Sequence, residues 1–186
     1  MSFGPEDFPG FTHAPNRDRR DPHWEVLRCA AKEQLTGIVL SHNVIGCYLH
    51  FYGRRSVPCK HPAACLACDD ASSRRWYGYL AVMDCRKHDR AIVEVTDGCE
   101  PMVHSAFCKF RTLRGLKFVQ KRRGEKPNGG LMMLFQDSRI PQEQIPHEPD
   151  LRRMLLRMWE VPDARASAGG VFTDPPKYPR LDGGVA

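Results

Sequence analysis

From Ile45 to Tyr52 the side chains alternate: Ile45, Cys47, Leu49 and Phe51 fall on one parity, Gly46, Tyr48, His50 and Tyr52 on the other. A period of two predicts a half-buried strand. Together with the apolar run before it, residues 38–52 make one long strand or two joined at a bulge. The same patterning predicts strands at 75–84 and 91–96, connected by the turn Arg86-Lys87-His88-Asp89, and again at 115–121 and 130–136. The last two are joined by a link containing Asn128-Gly129, a strong hairpin signal. Between the third and fourth strands the period changes. Met102, Val103, Ala106, Phe107 and Phe110 form one helical stripe, with Pro101 suited to its first turn and Glu100 to its positive end.

Shorter helices flank this set. Asp21-Pro22 reads as an N-cap with proline at the first helical position. Trp24, Leu27, Ala31 and Leu35 recur at helical spacing before Gly37 stops them. Pro149-Asp150 opens a second, in which Leu151, Met154, Leu155 and Met158 line one side and Arg152, Arg153 and Arg157 the other. Its expected role is packing on the strands, with docking on a partner as the minor alternative. Residues 1–21 and 162–186, rich in Pro, Gly and Asp, read as a flexible arm and a disordered tail. The expected organisation is an arm (1–21), a zinc-stabilised domain (22–140), an amphipathic helix segment (141–161) and a tail (162–186). Three strands, a helix and two strands is the element order of the OB-fold. The expected fold class is therefore mainly β with α: a five-stranded OB-like barrel with a cysteine-rich loop between strands 1 and 2, a helix between strands 3 and 4, and short flanking helices.

That loop carries the clearest chemistry. Cys59-x5-Cys65-x2-Cys68 places three thiols within ten residues, in a segment whose Pro58, Pro62, Ala63 and Ala64 offer little else to hold its shape. Zinc takes thiolate and imidazole in a tetrahedral shell, and such spacing lets one loop wrap the ion. The plain alternative is reduced thiols without metal. For the fourth ligand His50 leads, near the end of the first strand and nine residues before Cys59; His61 is nearer in sequence, and His42, Cys47 and Asp69 are outsiders. A filled Cys3His shell is structural, since catalytic zinc keeps a water. Cys29, Cys85, Cys99 and Cys108 are scattered and read as small half-buried residues.

Composition narrows the setting. The chain has 186 residues, 41% hydrophobic and 27% charged, with no apolar run near the ~20 residues of a membrane span. The N-terminus lacks a basic start followed by an apolar block, so a cytoplasmic, reducing location is expected, where eight cysteines suggest metal binding rather than disulfides. The net charge of +6 is concentrated in residues 109–126, where eight basic residues face only Glu125. Such a stretch suggests a surface for a polyanion, the bland reading being a solvated hairpin. Arg114, Lys117, Lys121, Arg122, Arg123 and Lys126 are the candidate phosphate contacts. Tyr48, Tyr52, Tyr77 and Tyr79 are candidate base-stacking residues on two neighbouring strands, flanked by Arg54, Arg55, Arg74 and Arg75. Tyrosine is also a good strand former, so packing is an equal alternative for each.

Enzyme readings are weaker. His23-Trp24-Glu25 with Pro58-Cys59 superficially fits a zinc-dependent nucleobase deaminase, but that class needs Pro-Cys-x-x-Cys, and here five residues follow Cys59 before the next cysteine. There is no phosphate-cradling glycine motif, GxSxG or HExxH. A nuclease would need grouped carboxylates, for which Asp69, Asp70 and Glu94 are the sole candidates. The stretch from His50 through Cys59, Cys65 and Cys68 to Arg75-Trp76-Tyr77-Gly78-Tyr79 resembles zinc-bearing members of the OB-fold group, across roughly residues 36–137. That resemblance implies nucleic-acid binding; the expected function is a non-catalytic protein whose partner is single-stranded DNA or RNA. The alternative is a zinc-stabilised protein-interaction subunit of a larger assembly, engaging a protein partner through the 149–161 helix.

Overall fold

The computed structural model describes residues 24–59, 65–87, 89–124, 129–159 and 172. Among them are eight strands: β1 Glu25–Leu27, β2 Gln34–Val39, β3 Ile45–Tyr52, β4 Arg55–Pro58, β5 Arg74–Asp84, β6 Asp89–Thr96, β7 Leu116–Arg122 and β8 Leu131–Asp137. Three helices accompany them: α1 Leu66–Asp69, α2 Glu100–Phe110 and α3 Leu151–Met158. The protein is mainly β, as the alternation implies. The expected arm, the tail apart from Phe172, and residues 125–128 of the link fall outside the described residues, as do His61 and His88.

All strands belong to one sheet, ordered β1-β6-β5-β2-β7-β8, with β3 beside β5 and β4 beside β3. β5 organises it. One edge pairs with β6 over Tyr77–Asp84; the other meets β3 over its first half and β2 over its second. The long first strand is therefore two, split at residues 40–44. At the split Leu40 donates its N–H to Ala81, while the Ser41 hydroxyl accepts the Ala81 N–H, so the ladder stays satisfied.

The expected five-stranded barrel does not close. Closure would require β8 to pair with β6, but the outer edge of β6 is taken by β1, running parallel to it with Val26 opposite Ile92. The sheet stays open. β1 also corrects the expected N-terminal helix. Trp24 and Val26 pack into one core and Leu27 and Cys29 into the other, a period of two, and Lys32 adopts a left-handed φ of 66° that no helix continues.

One face carries Leu35, Val39, Trp76, Leu80, Val82, Val93, Phe118 and Met133, closed by Val103 and Ala106 of α2. The other carries Ile38, Leu40, Cys47, Tyr79, Ala81, Met83 and Ile92, closed by Leu151 and Leu155 of α3. α2 ends where Arg111 turns left-handed (φ 65°) and donates to the Phe107 carbonyl. α3 begins at Asp150, whose carboxylate accepts the Arg153 N–H at 3.1 Å. Each helix thus covers one face, leaving the end of β3 projecting beyond both.

Candidate metal centre

That projection is a hairpin. β3 and β4 pair from Leu49–Pro58 to Tyr52–Arg55, and the two loop residues Gly53 and Arg54 both take left-handed φ, 58° and 62°. Primed turns of this kind match strand twist and favour glycine. The hairpin returns Cys59 alongside the strand, its N–H bonded to the Tyr48 carbonyl at 2.8 Å. β4 was hidden in the sequence, where Arg-Ser-Val-Pro shows no alternation.

Cys65 then stands at the N-cap of α1 and Cys68 within it, with the Cys65 carbonyl accepting the N–H groups of Cys68 and Asp69. One helical turn puts both thiols on one side. The donor atoms of His50, Cys59, Cys65 and Cys68 all lie within 4.8 Å of one another. Cys59 Sγ is 3.6 Å from Cys68 Sγ, and His50 Nε2 is 3.3 Å from Cys68 Sγ. A tetrahedral zinc site has S···S edges of about 3.8 Å and S···N edges of about 3.5 Å, from its bond lengths. The donor set fits. His50 is 1% exposed, Cys59 5% and Cys65 6%, so water has little access. All eight cysteines are free thiols.

The imidazole is oriented from behind. His50 Nδ1 lies 2.9 Å from the Ser72 carbonyl, which can only accept. The proton therefore sits on Nδ1 and the Nε2 lone pair faces the sulfurs, the outer-shell arrangement typical of metal-bound histidine. Burial first, and then the neighbouring Cys59 and Cys65 thiols, push the Cys68 thiol up to about 11. Crowded thiols resist becoming anions together, and a cation among them removes that resistance. The geometry can hold a metal ion with four protein ligands.

The outsiders lie elsewhere. His42 contacts Thr112 and Glu148, Cys47 lies on the opposite face of β3 with its thiol pushed up by burial, and Asp69 is exposed. Glu25, the residue the deaminase reading needed, is on β1 in an ion pair with Lys87 at 2.9 Å.

The tyrosines do not form one platform. Tyr48 stands directly opposite Trp76, and residues opposite in an antiparallel pair share a face, so Tyr77 and Tyr79 lie on the other side. Tyr79 is 4% exposed, edge-on to Trp159 at 5.7 Å, and Tyr77 packs into the same core. Tyr48 lies under the Arg74 guanidinium at 5.1 Å, and Tyr52 donates its hydroxyl proton to Asp70. The α3 helix occupies the face where bases were expected.

The basic set divides as well. Arg114 is 9% exposed and donates to the Leu40 and Ile145 carbonyls, at 2.9 and 2.8 Å. Arg122 donates to the Cys29 and Gly129 carbonyls, at 2.7 and 2.9 Å. Both tie the structure together instead of presenting charge. Lys121 and Arg123 are exposed, Lys117 half-buried, and Lys126 lies outside the described residues. Arg114→Met is expected to lower folding stability by about 2–3 kcal/mol, because two buried carbonyls lose a charged donor. A urea midpoint measures this.

One surface group escaped the sequence reading. Phe51 is 73% exposed, although Cys47 and Leu49 on its own face are buried. Strand parity alone gave no signal that the hairpin outruns the core. No helix among the described residues is long and apolar enough to cross a membrane. Comparison of the chain with protein-family models, curated proteins and solved structures finds no match.

Proposed function

We propose that the chain is a non-catalytic, zinc-stabilised domain that binds single-stranded nucleic acid through the metal-braced hairpin. Zinc is the ion of choice because three thiolates and an imidazole in a buried tetrahedral set suit it and leave no position for a reacting water. The observation that carries the reading is Phe51. A phenylalanine ring 73% exposed, at the end of a strand fixed by a metal ligand one residue away, forgoes roughly 2 kcal/mol of burial. Arg75 is exposed opposite Leu49 on the same face, Arg54 is exposed at the turn, and Tyr52 (37% exposed) pairs with exposed Arg55 on the other face of the hairpin. Exposed rings beside guanidinium groups are the ingredients of base stacking with phosphate contact. This relocates the interface from the sheet face to the hairpin tip, with Lys121 and Arg123 as secondary phosphate contacts.

The interaction-subunit alternative draws less support, since the apolar stripe of α3 (Leu151, Leu155, Leu156) is buried against the sheet. Leu66 beside the metal loop, 74% exposed, is its best remaining feature. A labelled oligonucleotide of about 20 nucleotides, titrated by fluorescence anisotropy, separates the two. Binding is expected to weaken steeply with salt through counterion release. Phe51→Ala should weaken it about tenfold, within the ~1–3 kcal/mol typical of one stacked base. Arg54→Ala with Arg75→Ala should weaken it further and flatten the salt slope. No binding at low salt, or binding indifferent to all three changes, would refute the reading.

A further inference from the structure

Among the described residues the sheet ends in three strands, and two of them are guarded. β1 is three residues long and opens on Glu25, while β4 carries Arg55 and ends on Pro58, which has no N–H to offer. Short, charged or proline-bearing edges resist pairing with another chain. β8 has none of these protections. It runs seven residues, Leu131–Asp137, five of them apolar, with no proline, glycine or cation.

The pairing of β7 and β8 fixes which backbone groups this edge presents. Arg123 donates its N–H to the Gly130 carbonyl at 2.7 Å, one step beyond the Arg122–Leu131 pair. Gly130 therefore turns its backbone toward β7, and by alternation so do Met132, Leu134 and Gln136. Leu131, Met133, Phe135 and Asp137 turn theirs outward. No N–H or C=O of these four has a hydrogen-bond partner among the described residues. Leu134, across from Val119 of β7, is 53% exposed, with Met132 half-buried on the same face.

We infer that β8 pairs with β8 of a second copy of the chain, antiparallel about a two-fold axis, so that two sheets join into one. The register follows from the edge. Hydrogen-bonded pairs must join outward residues to outward residues, and the register that sets Leu131 opposite Asp137 and Met133 opposite Phe135 uses all four. It places the axis at Leu134, which meets its own copy in a non-hydrogen-bonded pair, where side chains approach most closely. The exposed leucine is thereby covered, with Met132 opposite Gln136 on either side of it.

Charge agrees with this register. Asp137, the only charged residue of β8, comes to lie two strands, about 10 Å, from Arg122 of the other copy, on the same face and opposite in sign. Lys117 and Lys121 stay three strands, about 14 Å, from β7 of the other copy, beyond the reach of unscreened repulsion at physiological salt. A two-fold pair uses the open edge of both copies, so association stops at two.

Sedimentation equilibrium of the full chain over about 1–200 µM tests the pairing. One strand pair is a small interface, so half-dimerisation is expected at roughly 10–100 µM. Leu134→Lys and Leu134→Glu each alter an exposed side chain and should fold as the parent does. Alone, each should dimerise at least about tenfold more weakly, because like charges meet on the axis. Mixed in equal amounts, lysine faces glutamate, and association should return to within about threefold of the parent. A parent chain that stays monomeric at about 200 µM overturns the inference. So does a dimer that both single variants leave intact, or a mixture that associates no more than either variant alone.

Discussion

On the proposed zinc assignment, Cys65→Ser is expected to abolish metal binding and to lower folding stability by roughly 4 kcal/mol. The size follows from what else holds residues 53–73 together. Among the described residues their only buried cluster is Cys59, Cys65 and Ala67, with Tyr48 and Cys68 at its border. Leu66 points outward, and α1 is a single turn of four residues. Neither burial nor helix propagation can order such a segment, so in the proposed reading a metal ion supplies the missing interaction. The two main cores include no described residue between β3 and β5. Loss of the ion should therefore unfold the hairpin and α1 first and leave the sheet standing. Hydrogen exchange would show protection lost across 53–73 and kept in β5 and β6. Cys108→Ser, at an exposed thiol bonded to His104, is the control and should keep its zinc. Equal zinc content in both variants would contradict the assignment.

Gly37→Ala is expected to destabilise the sheet itself, by about 3 kcal/mol, or roughly 10 °C in melting temperature. Gly37 lies mid-sheet, paired with Asp84 of β5 on one side and Phe118 of β7 on the other. A Cβ there would fall within overlap of the Met83 carbonyl oxygen and 2.8 Å from Phe118 Cε1. The ring could turn aside, but the carbonyl belongs to the backbone of the central strand and cannot. Gly130→Ala meets no atom within 4 Å and should melt with the parent. A Gly37→Ala melt within about 2 °C of the parent would show that β2 and β5 are more loosely paired than described.

How much of this was legible in the sequence depends on the range of the interaction. Period-two alternation located β3, β5, β6, β7 and β8 to within two residues, and helical spacing located α2 and α3, because each pattern is local. The metal loop was legible for the same reason: Cys59, Cys65, Cys68 and His50 are close in sequence, and thiol spacing is set by the ion. Segment 24–35 was not, since Leu27, Ala31 and Leu35, four residues apart, fit both periods, and only pairing with β6 decides between them. Register was equally hidden. Tyr48 and Tyr77 differ in parity relative to each other only because Tyr48 meets Trp76, a choice made between strands. The fate of Arg114 was invisible too, as nothing in a cluster of cations distinguishes one that binds carbonyls inside from one that faces solvent.

A metal-braced hairpin projecting beyond a two-faced sheet is the physical basis of the functional reading, and its most direct test is X-ray absorption at the zinc edge on the purified full chain. The expected result is one zinc per chain in a shell of three sulfurs at about 2.3 Å and one nitrogen at about 2.0 Å. The nitrogen should disappear from the shell in His50→Ala. A metal-free chain, or zinc held by fewer than three sulfurs, would contradict it.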